Sequence, residues 1–156
     1  MRKRKQVESS KLEKTLERWC HKYIRFRDLI LFPDNSLRGY CISCNAIWDV
    51  SLFSDRSIMN GKKWHAGHYF KSDKYQSTRY NEDNIHLQCY YCNKSLSGNE
   101  SNYQINLVKK IGQERFEELK IEKNKIIKFN IIELEGLIKY YKAKAKQEAK
   151  RLNIKL

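Results

Sequence analysis

Two cysteine pairs with one spacing, Cys41-Ile-Ser-Cys44 and Cys89-Tyr-Tyr-Cys92, constrain this chain more than any other feature, and 44 residues separate them. Two residues between thiolates let a tight turn aim both sulfurs at one ion. Two such knuckles complete the tetrahedral four-sulfur shell that structural zinc prefers. Disulfides are the weaker reading. The basic start, Met1-Arg-Lys-Arg-Lys-Gln, leads into charged helix-like sequence and not into an apolar secretory core. With a mean hydropathy of −0.80 and no long apolar run, a membrane span is not expected, and the chain reads as intracellular. Cys20, alone after Trp19 on an expected helix, reads as a small buried residue.

The knuckles lie between two basic ends. Residues 1–27 carry ten Lys or Arg against three Glu, residues 28–119 balance at eleven of each sign, and residues 120–156 carry eleven against four. A polyanion is the natural partner for such arms, because a cation placed on a phosphate releases condensed counterions. Arg2, Lys3, Arg4 and Lys5 at one end, and Lys142, Lys144, Lys146, Lys150 and Arg151 at the other, are the expected nucleic-acid contacts. Solvated helix faces are the alternative.

Leu12, Leu16, Trp19, Tyr23, Phe26 and Ile30 form one apolar helical stripe that the Pro33-Asp-Asn-Ser turn ends. After Cys92, helices are expected over 102–111, stopped by Gly112, then over about 113–123, and along a longer stripe of Ile127, Ile131, Leu134, Ile138, Tyr141 and Ala145. The two terminal stripes can pack on each other or on a second copy, which makes a homodimer one expectation. The division expected is a basic helix over 1–32, a zinc-bound core over 33–112 and basic helices over 113–156.

Chemistry is expected in the segment between the knuckles, where Trp64-His-Ala-Gly-His-Tyr-Phe70 reads as a strand and three of the four histidines fall. A near-neutral imidazole can take a proton from water, and an oxygen-held divalent ion can neutralise charge on a phosphodiester. On a regular strand His65 and His68 face opposite sides. Sharing a site would take a bulge or turn, which Gly67 permits. His86 reads as structural.

His68, Asn84 in Asn81-Glu-Asp-Asn-Ile85 and Cys89-Tyr-Tyr-Cys92-Asn93 resemble the HNH nuclease motif. Together with Ser97-Gly-Asn99 and Ile105-Asn-Leu-Val-Lys-Lys-Ile-Gly112, the stretch from about Cys41 to Leu119 resembles the phage NinG family of Rap-like recombination endonucleases. The resemblance implies an α+β fold: a zinc-stapled ββα-metal core with flanking basic helices. It also implies magnesium- or manganese-dependent cutting of branched DNA, such as D-loops and Holliday-type junctions, in the cytoplasm of a phage's bacterial host. By the same resemblance His68 is the general base, Asn84 orients its loop, and Asn93 holds the catalytic ion. Gly67 stands where many such nucleases carry a metal-binding Asp, so His65, or more weakly Asn99, with water is left to complete the ion's shell. Leu96 stands where Lys is frequent. The alternative is a zinc-ribbon nucleic-acid-binding or recombination scaffold without catalysis.

Overall fold

The computed structural model describes residues 2–50 and 63–156, with the side chains of residues 2–5 and 48 outside that description. Helix α1 (Arg2–Arg27) buries Leu16, Cys20, Tyr23 and Ile24 on one face. It ends three residues short of Ile30, which correction has a local cause. Asp28 turns its carboxylate away from the helix to accept the Leu87 N–H at 2.8 Å, and the Arg151 guanidinium donates to the carbonyls of Phe26 and Leu29, both at 3.0 Å. The Phe26 carbonyl, in the last turn of α1, has no intrahelical donor, so a cation there both satisfies it and complements the helix dipole. Leu29–Leu31 then forms β1, and Ile30 is exposed.

Strand β1 pairs antiparallel with β2 (Leu37–Tyr40), and β2 with β3 (Ile47–Asp49), a small sheet that helical periodicity hid. Its first turn is set by Asp34 Oδ1, which accepts from the Ser36 amide at 3.0 Å and hydroxyl at 2.6 Å, and by Asn35 at φ 62°. Asn tolerates that left-handed backbone better than most residues.

Strands β4 (Trp64–His68) and β5 (Ile85–Cys89) make a separate antiparallel hairpin, paired without interruption from Trp64↔Cys89 to His68↔Ile85. A tight turn over Tyr91–Ser95 follows, then α2 (Glu100–Ile111), α3 (Gln113–Glu122) and α4 (Ile131–Arg151). Gly112 at φ 85° separates α2 from α3, as the sequence predicts. The start of α4 is later than the stripe implied: Asn130 and Glu133 form a reciprocal capping box, and Ile127 lies before it, outside any helix. The architecture is therefore α+β, with two small sheets and helices around them.

The terminal helices are partners. Leu134, Tyr141 and Ala145 of α4 meet Leu16, Cys20, Tyr23 and Ile24 of α1 over Ala66 and Ile85 of the hairpin. Farther along, Ala149 and Leu152 join Phe26, Trp64 and Leu87. Small alanines let the helix axes approach, and Tyr141 closes the seam by donating to the Tyr80 carbonyl at 2.6 Å. Both stripes are thus covered within one chain. No described helix is long and apolar enough to cross a membrane.

Leu16 is fully buried in this seam. Leu16→Ala should cost about 2–5 kcal/mol in urea unfolding, whereas truncation of exposed Val7 to Ala should be within about 0.5 kcal/mol of wild type.

Candidate functional site

Cys41, at the end of β2, and Cys44 beyond it meet Cys89 at the end of β5 and Cys92 in the following turn. All four sulfurs lie within 4.8 Å of one another. Backbone conformation makes the first knuckle: Asn45 at φ 55° lets its N–H reach the Cys41 carbonyl at 2.9 Å. The sulfurs are already surrounded by donors. Cys41 Sγ accepts from the Cys89 N–H at 3.4 Å, Cys89 Sγ from the Cys92 N–H at 3.5 Å, and Cys92 Sγ from Asn99 Nδ2 at 3.4 Å. Such donors stabilise thiolate ligands, and the four side chains fit one tetrahedral metal ion such as zinc. Burial pushes the Cys41 and Cys92 thiols up to about 11, so four sulfurs this close need a cation to be ionised together. Asn99, expected more weakly at the catalytic ion, has a left-handed backbone (φ 46°) and donates its amide to Cys92 of this sulfur cluster. Cys20 stands apart, fully buried, its thiol pushed up to about 12 by burial.

A cavity of about 610 Å³ lies beside the hairpin, and His65, His68 and Asn93 all line it. No bulge brings the histidines together, since β4 is regular through Gly67. Ala66 of β4 lines it as well. Gly67 is fixed by a neighbour: a Cβ there would sit 2.1 Å from Gln88 Oε1. Gln88 is fully buried and donates to Ser43 Oγ and the Gly98 carbonyl, both at 2.6 Å. An Asp at 67 would break that cross-link.

The His68 ring is oriented by the main chain. Its Nε2 lies 2.9 Å from the Arg79 carbonyl, which can only accept, so Nε2 carries the proton and Nδ1 keeps a lone pair. Burial holds its pKa below the usual histidine value. Asn84 is fully buried and clamps the loop between the strands. Its Oδ1 accepts the Phe70 N–H at 2.7 Å, and its Nδ2 donates to the carbonyls of Phe70 and Thr78 at 2.9 and 3.0 Å. His86 lies elsewhere, buried with Nδ1 3.4 Å from the Tyr103 hydroxyl.

Helix α1 supplies a wall of the cavity that the sequence reading did not nominate: Glu17, His21 and Arg25, spaced every four residues. Glu17 Oε2 accepts from Arg79 Nη2 at 2.9 Å, tying the helix to the residue whose carbonyl orients His68. The His21 ring meets His68 edge-on at 5.3 Å, and burial pulls its pKa down to about 3. A Glu–His–Arg repeat on the polar side of an amphipathic helix was the signal available. Asp73, Lys71 and Lys94 complete the charged lining. Apart from the four cysteines, no cluster of three His, Cys, Asp or Glu ligand atoms occurs among the described residues.

Two of the expected phosphate contacts are already engaged. Lys144 Nζ lies 2.7 Å from Glu82 and 2.8 Å from the Tyr140 hydroxyl, and Arg151 holds Glu148 and the end of α1. Lys142, Lys146 and Lys150 are exposed, and the side chains of Arg2, Lys3, Arg4 and Lys5 lie outside the described residues.

A family model described as Bacteriophage Lambda NinG protein matches residues 1–151. The chain is similar to "Protein ninG" of Escherichia phage lambda, 35% identical over 85 residues, which are 54% of this chain and 36% of the relative. It is similar to the protein of that name from Escherichia phage 933W, 34% identical with the same coverages. In the protein ninG of Salmonella phage P22 the match is 35% over 72 residues, 46% of this chain and 30% of the relative. Each match spans about a third of the relative's own length. No solved structure matches.

The sulfur cluster generates a metal-removal test. Freshly purified protein should contain about one equivalent of zinc, since metal bound by a site absent from the unfolded chain is folding free energy. Chelation or Cys89→Ser should lower the thermal midpoint and loosen the turn that carries Asn93. Less than half an equivalent with all thiols reduced would contradict the site.

Proposed function

The chain belongs to the NinG family of phage proteins, and from that premise we propose that it is a metal-dependent, structure-selective DNA endonuclease of HNH type, which cuts branched recombination intermediates such as D-loops and Holliday-type junctions. The observation that carries this reading is the protonation state imposed on His68. Its proton is committed to the Arg79 carbonyl, its Nδ1 keeps a lone pair, and the residue lines a cavity that Asn93 and His65 share. On this reading β4, β5 and the following turn and helix are the ββα-metal core, and the four-cysteine zinc ties that core together without entering the chemistry. Its place of action is the host's cytoplasm.

In the proposed reaction His68 Nδ1 takes a proton from water as that water attacks the scissile phosphorus in line, and the 3′ oxygen leaves. Asn84 fixes both the departure of the loop from β4 and its return, so the ring keeps its aim. Asn93 and His65 would hold a magnesium or manganese ion, which supplies Lewis-acid stabilisation of the phosphate and the leaving oxygen. Two protein donors suit such an ion, which keeps several of its waters. The scaffold reading, zinc-dependent DNA binding without cutting, is favoured by one observation: Gln88 leaves no room for a carboxylate at position 67.

His68→Ala should lower cleavage of a four-way junction by about 10²- to 10⁴-fold or more, with zinc content and DNA affinity near wild type. Asn93→Ala should also lose activity but recover partly as magnesium or manganese is raised, a rescue His68→Ala should not show. Because the base acts neutral and burial lowers its pKa, the acid limb of the rate profile should lie below about pH 6.5, the unperturbed histidine value. If the wild-type protein never cuts, whichever divalent ion is added, the assignment moves to the scaffold.

A further inference from the structure

The wall that α1 gives the cavity continues outward. A second depression shares Glu17, His21 and Arg25 with the first and adds Lys14, Arg18, Trp19 and Lys22. The basic side chains of that helix follow at intervals of four, four and three residues, from Lys14 through Arg18 and Lys22 to Arg25, which places them on one face. At about 1.5 Å of rise per residue they step along the surface by roughly 6 Å each and end at the cavity. No described carboxylate pairs with Lys14, Arg18, Lys22 or Lys142, whereas Arg27, Arg79, Lys110, Arg115, Lys144 and Arg151 are all in ion pairs. The row is crowded with like charge: burial and the neighbouring Arg25 and Arg18 lower the Lys22 pKa. An aromatic ring lies among these cations. Lys22 Nζ and Lys142 Nζ lie 5.0 and 5.6 Å from the centre of the half-buried Trp19 ring.

We propose that this face of α1, with Lys142 of α4, is the track on which a single DNA strand enters the cavity, its phosphates on Lys14, Arg18 and Lys22 and a base against Trp19. Lys14, Arg18 and Lys22, which no described carboxylate pairs, lead to a histidine-lined cavity and suit a phosphate backbone, and an aromatic ring set among the cations suits an unstacked base more than a closed duplex. The proposal rests on the nuclease reading in taking the polyanion to be DNA. It assigns substrate binding to the middle of α1, in addition to the chain's two ends.

The test is fluorescence anisotropy of a labelled oligodeoxythymidine, a duplex of equal length and an RNA strand of matching composition, with no divalent ion added. Arg18→Ala with Lys22→Ala should weaken binding of the DNA strand about tenfold and reduce the salt slope by about 1.4, at roughly 0.7 per contact on single strands. The duplex should lose less. Lys109→Ala with Lys128→Ala removes equal charge elsewhere and should leave binding near wild type, and zinc content and helicity identify any variant that fails to fold. Absence of strand binding by wild type, no loss in the first pair, equal loss in both pairs, equal loss on duplex, or tighter binding of RNA would each overturn the track. Because cleavage is not read, the two proposals fail separately. Strand binding lost in the first pair while wild type never cuts retains the track and removes the nuclease; unchanged binding with cutting intact does the reverse.

Discussion

Four thiolates cannot share a space less than 5 Å across without a cation between them, and the rest of the site depends on that constraint being met. Cys41 directly follows β2 of the three-stranded sheet, Cys89 ends the hairpin, and Cys92 lies in the turn that carries Asn93. An ion held there would therefore join two sheets that share no hydrogen-bonded strand. Asn99 is spent on the same cluster, and α2 starts at the residue after it. The sulfur centre thus sets where the turn that carries Asn93 ends and the next helix begins.

The hairpin carries a second fixed point of a different kind. Asn84 satisfies three backbone groups of the intervening loop from a fully buried position, so the loop's two ends are set by one side chain. Removing its amide would leave the Phe70 N–H and the Phe70 and Thr78 carbonyls without that partner, a cost of about 1–3 kcal/mol per buried group. Arg79 lies just beyond Thr78, so the same clamp governs the carbonyl that fixes the His68 tautomer. Orientation of the candidate base is thereby inherited from an asparagine that never touches it.

Much of this was legible in the sequence where one residue type has few uses. The cysteine spacing gave the sulfur cluster, and Gly112 marked the break between α2 and α3. Local pattern failed where a distant residue decides. Ile30 fits the α1 stripe, yet Asp28 and Arg151 end the helix before it. Ile127 fits the α4 stripe, yet the Asn130–Glu133 box starts the helix after it. Gly67 suggested a turn, but its cause is the Gln88 side chain lying against it from β5. Lys144 and Arg151 looked like spare charge because Glu82 and the end of α1 are remote in sequence. Glu17, His21 and Arg25 were visible as a helical row, but nothing local said that β4 lies opposite.

Arg151 and Phe26, whose contact closes α1, are 125 residues apart. During synthesis the first helix emerges long before its partner, and its apolar face has no mate until α4 has left the ribosome. Contacts of such separation carry a large loop-closure cost and are formed late. The wall of Glu17, His21 and Arg25 therefore lacks the support of α4 until residues 131–151 have been made. The cavity's outer side is thus completed after the hairpin that it faces, so the order of translation itself makes this site one of the last parts of the described fold to mature.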